Sequence, residues 1–182
     1  MGLLLKVILL GMLFLQTMII RTPSDNNTLL SPDELARLLP ARLEGFNLIE
    51  QNKGRMIQIG TLTYSMTERG FSKSKRKVTI LLFDYNNASI MYRQATGKWA
   101  NQVSEDNEIR KQGPYPFEGG EGWEHYDKIR NYSQLFLGVH GRFYLVLTGE
   151  GIGMEGLYAI CNQLNASSFP PLSHAVADAK HR

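Results

Sequence analysis

The chain lacks a cysteine pair, because Cys161 is the only cysteine among its 182 residues. No disulfide can therefore form within it. Small exported domains of eukaryotes usually depend on several disulfides, so the single thiol favours a bacterial envelope protein over that class. The composition, 43% hydrophobic and 20% charged, is that of a globular protein and suits one domain.

The sequence also lacks the short motifs that carry a catalytic mechanism of their own. It contains no G-x-S-x-G, H-E-x-x-H, P-loop or C-x-x-C segment. We therefore assign no catalytic, cofactor-binding or metal-ligating residue, and we predict no cofactor. Cys161 lies in an apolar stripe of helical spacing, where a buried and unreactive thiol is expected.

An enzymatic or metal-binding hypothesis would depend on His125 and Asp127, which share one face of a predicted strand. His140, from the neighbouring strand, would complete a trio. A metal site needs three or four converging ligands, and this trio is a loose one. A strand with polar residues on its solvent face explains the same pattern, and we favour that interpretation.

A glycine motif near the end of the chain resembles the fingerprint of dinucleotide-binding turns. Gly151, Gly153 and Gly156 have the spacing G-x-G-x-x-G between a predicted strand and a predicted helix. The nucleotide-binding unit also needs a second parallel strand with an acidic residue about 20 positions later. No strand is predicted in residues 157–182, so the motif predicts a turn and not a nucleotide site.

Basic residues give the chain a formal net charge of +3, and several of them are clustered. The cluster consists of Lys73, Lys75, Arg76 and Lys77. The basic stripe interleaved with aromatics that is typical of nucleic-acid binding is missing, so no nucleic-acid partner is predicted. These four residues are our candidates for contact with anionic headgroups or an acidic partner. The alternative is a solvated hairpin loop, which needs no partner.

The N-terminus predicts export. Residues 3–20 are almost all apolar and Lys6 lies near their start, which is the layout of a secretory signal. No A-x-A cleavage site follows, so a retained membrane anchor through residues 3–20 is the alternative that we favour. The expected organisation is a signal peptide or anchor at 1–21, a linker at 22–30, one domain at 31–169 and a disordered tail at 170–182.

Pattern and turn signals predict an α+β fold. Ser31, Pro32 and Glu34 indicate a capping box before a helix of about residues 32–39. Residues 56–68 are predicted as one strand with a β-bulge at Gly60, and residues 77–85 as a central strand. A helix at 88–99, strands at 121–129, 134–139 and 142–148, and a helix from Met154 complete the prediction. The result is an antiparallel sheet of about five strands with helices mainly on one face, preceded by the N-terminal hydrophobic helix.

Four local patterns together resemble a group of exported bacterial proteins of unknown function. They are Leu38-Leu39-Pro40 followed by Gly45, the Tyr126-Asp127-Lys128 strand, Gly141-Arg142-Phe143 at a strand start, and the glycine turn before the last helix. The resemblance covers about residues 35–165. It implies a sheet with helices and carries over no activity and no catalytic residue.

These observations lead to one favoured function and two alternatives. The favoured one is an exported or membrane-anchored bacterial envelope protein that acts as a non-enzymatic binding or structural module. Its partner would be an unknown envelope protein or a small ligand. The alternatives are a periplasmic enzyme with a dispersed site around His125 and Asp127, and a soluble secreted ligand carrier.

Overall fold

The computed structural model describes residues 28–172 of the chain. Three short α-helices and eight β-strands make up this part. The helices are α1 (Pro32–Leu38), α2 (Ser89–Gly97) and α3 (Met154–Cys161). The strands are β1 (Asn47–Ile59), β2 (Leu62–Lys73), β3 (Arg76–Asn87), β4 (Glu105–Asp106), β5 (Arg110–Pro114), β6 (Gly120–Asp127), β7 (Tyr132–Val139) and β8 (Phe143–Glu150).

All eight strands belong to one antiparallel sheet with the order β1-β2-β3-β8-β7-β6-β5-β4. Each strand therefore pairs with its neighbour in the chain, except where β3 meets β8 at the centre. The sheet consists of two meanders, β1–β3 and β4–β8, joined by that one seam. The predicted meander of the last three strands and the central position of the strand at 77–85 are confirmed.

The prediction of about five strands is wrong, and the turn at Gly60 accounts for one of the three additional strands. Residues 56–68 are not one bulged strand but parts of β1 and β2, joined by a two-residue turn at Gly60 and Thr61. Gly60 has a φ of +60°, as the first position of a type II′ hairpin turn requires. Apolar residues occupy odd positions before Gly60 (Ile57 and Ile59) and even positions after it (Leu62 and Tyr64). This shift therefore marks a reversal of the chain and not an inserted residue. Short β4 and β5 add two further strands in a segment that carries little apolar pattern.

One face of the sheet carries the main core beneath α1 and α3. Leu82, Leu137, Leu145 and Leu147 are fully buried there, and Leu157 of α3 packs on the same cluster. Alternate residues of the same strands point to the other face, where α2 covers a second cluster rich in aromatic side chains. Helices therefore lie on both faces, two on one and one on the other.

The start of α1 is confirmed as predicted. The Ser31 hydroxyl accepts a hydrogen bond from the Glu34 amide, and the Glu34 carboxylate accepts one from the Ser31 amide at 2.7 Å. The end of the helix is held by Arg69 of β2, whose guanidinium donates to the carbonyl oxygens of Ala36, Leu39 and Pro40. A buried cation thus satisfies the carbonyl groups that a helix end leaves unpaired.

The prediction of a transmembrane helix is not supported by the described part of the chain. Within residues 28–172 no helix has both the length and the apolar character needed to cross a membrane. The longest of the three helices, α2, has 9 residues. The predicted hydrophobic helix at residues 3–20 lies outside the described residues, as does most of the predicted tail.

Candidate functional site

The predicted basic cluster lies on the hairpin between β2 and β3. Lys73 ends β2 and Arg76 begins β3, and the two residues pair directly across the ladder. Ser74 and Lys75 form the two-residue turn between them, and Ser74 takes a φ of +56° to close it. The polar and basic composition of residues 70–76 predicts a hairpin loop over that whole range, but the turn has only two residues, and most of the cluster belongs to the strands. All four cations are exposed to solvent.

The four cations do not form one group. Lys77 lies 3.9 Å from the Glu150 carboxylate on the neighbouring strand β8, and Lys75 lies at the tip of the hairpin. Lys73 and Arg76 instead line a groove between the hairpin and α3. None of the ion pairs formed among residues 28–172 involves either of these two side chains. They are the charges of the cluster that are available to a ligand in the groove.

We call this depression, which has a volume of about 400 Å³, the basic groove. Its lining combines the two cations with one carboxylate, one amide, and apolar or small residues from three separate parts of the chain: Glu44, Gly45, Phe46, Lys73, Arg76, Ile152, Gly156, Ala159, Ile160 and Gln163. Ile152 and Ile160 belong to the main core and are nearly fully buried, and Phe46 packs against it. The groove therefore has an apolar floor with positive charge on one wall.

Glycines allow the walls of the groove to approach each other. A β-carbon on Gly45, which has a φ of +72°, would come within 2.6 Å of the Lys73 amine. A β-carbon on Gly156 would lie 2.8 Å from a methyl group of Ile152. A side chain at Gly156 would collide with the floor of the groove, and one at Gly45 would displace the Lys73 amine and strain a backbone with positive φ.

The glycine motif at 151–156 is a turn, as predicted. Gly151 leaves β8 with a φ of +67°, and Gly153 is the N-cap of α3. The turn contacts the hairpin, since a β-carbon on Gly151 would lie 3.4 Å from the Lys75 carbonyl oxygen. Every strand pair among residues 28–172 is antiparallel, so the second parallel strand of a nucleotide-binding unit is missing there.

A second cleft, of about 540 Å³, lies at the C-terminal end of α3. Tyr115, Phe117, His140 and Cys161 contribute to its lining. Burial raises the pKa of the Cys161 thiol to about 11, and the thiol is 1% exposed. A thiol with such a pKa is protonated near neutral pH and is a poor nucleophile, in agreement with the unreactive thiol that the sequence predicts.

A polar network of Lys111, Glu124 and Tyr158 lies beside Tyr115, one of the residues that line this cleft. The Lys111 amine lies 2.8 Å from the Glu124 carboxylate and also donates a hydrogen bond to the Tyr158 hydroxyl. Tyr158 donates to Glu124 in turn, and its ring stacks on Tyr115 with 5.2 Å between centroids. The hydrogen bond to Glu124 raises the pKa of Lys111, and burial raises that of Tyr158. This network ties α3 to the β5–β6 part of the sheet.

The structure does not bring His125, Asp127 and His140 together. His125 is in the middle of β6 opposite Gln134, whereas His140 lies in the turn after β7. Asp127 accepts a hydrogen bond from the amide of Arg130 and so stabilises the β6–β7 turn. None of the three residues lines the basic groove. Among the described residues there is no cluster of three or more histidine, cysteine or carboxylate side chains that could hold a metal ion.

The residues of the groove floor are missing from the sequence prediction. Phe46, Ile152 and Ile160 lie far apart in the chain and belong to no shared motif. Periodicity would have placed Ile160 on the buried side of α3, because Leu157 precedes it by three positions. No local pattern connects that helix to the basic hairpin.

Comparison with known proteins found no match: no family model fits the chain, and no curated protein or solved structure is significantly similar to it.

Proposed function

We propose that the chain is a non-enzymatic binding module whose basic groove takes a small anionic amphiphile. Such a ligand has a carboxylate, sulfonate or phosphate group and an apolar body. The observation that carries the proposal is the position of Lys73 and Arg76 beside an apolar floor, without a carboxylate partner among residues 28–172. A concave apolar surface with cations beside it can bind the anionic group of such a ligand and remove its apolar body from water.

The chemistry of the lining favours binding over catalysis. An arginine can donate two parallel hydrogen bonds to an anionic group, and a lysine adds a mobile point charge. The groove lining contains no serine, cysteine or histidine that could act as a nucleophile or as a base of neutral pKa. A volume of about 400 Å³ is within the range of small-molecule sites.

The proposal is tested by calorimetric titration of the full chain with decanoate, and with decanol as the neutral analogue. We expect decanoate to bind and decanol to bind much more weakly. The double variant Lys73→Glu with Arg76→Glu should weaken decanoate binding about tenfold or more, since each charge-assisted hydrogen bond contributes about 1.5–3 kcal/mol. Glu44→Gln, which removes the negative charge of the lining, should strengthen binding.

Lys75→Glu is the control, because it reverses one charge of the same hairpin outside the groove, as each substitution of the double variant does inside it. We expect it to change the affinity by less than about twofold, as an exposed and screened charge would. Equal losses in the control and in the double variant would show general electrostatic attraction and contradict the proposal. Equal binding of decanoate and decanol would contradict it as well.

A further inference from the structure

The two edges of the sheet are protected very differently. On one side the sheet ends at β4, which has only two residues, both acidic. On the other side it ends at β1, which has 13 residues and no strand beyond it among the described residues. A long edge strand offers a row of unpaired backbone groups to another chain, whereas short and charged edges discourage such pairing.

The second half of β1 is the part that is open to pairing. Register shifts interrupt β1 between Leu48 and Lys53, and such irregularities hinder the addition of a strand. From Lys53 to Ile59 the strand pairs with β2 without interruption. We call residues 53–59 the open edge. Two large apolar side chains on it are unusually exposed, Met56 at 58% and Ile59 at 55%.

We propose that the open edge pairs with the open edge of a second copy of this chain, antiparallel and centred on Met56. The result is a two-fold dimer with one continuous sheet across both copies. Antiparallel pairing of one segment with itself is the self-complementary arrangement that a two-fold axis requires. The strand-to-strand hydrogen bonds give the contact its affinity, and the alternating side chains set its register.

Backbone direction supports this centre. Ile59 and Leu62 flank the two-residue turn, so they exchange hydrogen bonds with each other, and the direction alternates along β1 from there. The N–H and C=O groups of Met56 therefore point away from β2, toward the open side. A centre at Met56 pairs each outward-directed residue with another outward-directed residue.

Charge placement selects the same register. With Met56 opposite its own copy, Lys53 faces Ile59 and Arg55 faces Ile57, and all seven residues of the open edge are paired. If the centre moves to Gly54, Lys53 comes opposite Arg55, and directly opposed like charges are destabilising. If it moves to Gln58, few residues of the open edge remain in the overlap. The Met56 register thus combines the largest overlap with the separation of like charges.

The proposal is tested by placing charges of either sign at the two-fold axis and measuring the dimer by sedimentation velocity on the full chain. Met56→Lys and Met56→Glu should each lose the dimer, because each variant would place a like charge opposite itself. An equal mixture of the two variants should recover it, because lysine would then face glutamate. Ile129→Lys is the matched control, since Ile129 is 75% exposed and lies in the β6–β7 turn. It should leave the dimer unchanged.

The outcomes separate this interface from other modes of association. Loss of the dimer in each single variant with recovery in the mixture supports the Met56 register, since a surface elsewhere would not respond to the mixing. A wild-type chain that stays monomeric contradicts the proposal, and so does a dimer that is unaffected by Met56→Lys. Failure of the mixture to recover the dimer contradicts the register. Circular dichroism of each variant verifies that the sheet is retained.

Discussion

Arg142 is one of the largest fully buried side chains of the molecule, and its charge is balanced by Asp84. Its Nε donates to Asp84 Oδ1 at 2.7 Å, and its Nη2 donates to Asp84 Oδ2 at 2.6 Å. Nη2 also donates to the carbonyl oxygen of Thr28, and the carboxylate accepts a hydrogen bond from the Leu30 amide. Two charges removed from water are tolerated here because their geometry is good and further hydrogen bonds satisfy them.

We expect Asp84→Ala to lower the free energy of unfolding by about 3–5 kcal/mol, since it leaves the arginine charge buried without its partner. Urea denaturation of the wild type and the variant measures this difference. Glu150→Gln is the control, because it removes the exposed ion pair with Lys77 and should cost at most about 1 kcal/mol. A similar small cost for Asp84→Ala would contradict the importance assigned to the buried pair.

Close packing between α1 and β1 depends on the absence of a side chain at Gly54. A β-carbon there would lie 2.4 Å from the β-carbon of Pro32, the first residue of α1. The helix rests directly on the strand at this point. A larger residue would push α1 away from the sheet.

We therefore expect Gly54→Ala to destabilise the fold by about 1–3 kcal/mol, the usual cost of overpacking. Gly97→Ala is the opposite case, since the added β-carbon would have no atom within 4 Å beyond its chain neighbours and the backbone of its own helix, and Gly97 ends α2. It should leave stability unchanged or raise it by up to about 1 kcal/mol. Thermal unfolding of both variants compares them directly, and equal shifts in the same direction would refute this account of the packing.

Local signals explain which elements the sequence predicts correctly. The capping box at Ser31 and the meander of β6, β7 and β8 depend on neighbouring residues and their periodicity. Gly60 shows where this approach fails. A bulge and a tight turn both account for the shift of apolar residues from odd to even positions at this glycine. Only the pairing of β1 with β2, which is a tertiary feature, distinguishes them.

The candidate site was predictable only in part. The charge cluster that contains Lys73 and Arg76 is visible in the sequence, but two of its four cations do not reach the groove. Lys77 faces Glu150 because β3 and β8 are paired, and these two residues are 73 positions apart in the chain (150 − 77). The groove floor depends on long-range packing in the same way, so no local pattern could have revealed it.

At the scale of the whole molecule, the second face of the sheet is notable for its aromatic residues. Phe83 and Tyr85 stack with 5.6 Å between ring centroids, and Trp99 stacks on Tyr144 at 6.2 Å. Burial raises the pKa values of Tyr85 and Tyr144 to about 12. The folded molecule therefore holds these phenols in their neutral form at a pH where an unfolded chain would ionise them.

This difference predicts how stability depends on pH in the alkaline range. The ordinary pKa of tyrosine is about 10, so the unfolded chain loses these protons first. The stabilisation is fully present below about pH 10 and is lost as the pH rises toward about 12. Urea denaturation at increasing pH, with tyrosinate absorbance recorded in parallel, measures the effect.

Tyr85→Phe is the control for that experiment, because phenylalanine keeps the ring and has no proton to lose. The variant should show a smaller loss of stability over the same range than the wild type. Tyrosines that ionise fully near pH 10 in the folded protein would contradict the expectation.

The single seam between β3 and β8 has a consequence for how the polypeptide could be divided. Residues 102–104 are exposed and belong to no helix or strand, and they separate the segment that contains β1–β3 and α2 from the one that contains β4–β8 and α3. A break there leaves every other strand pair inside one fragment or the other. The two pieces would then meet along this strand border, closed at one end by Asp84 and Arg142, and through α2, which packs on β7 and β8, as the halves of a split reporter do.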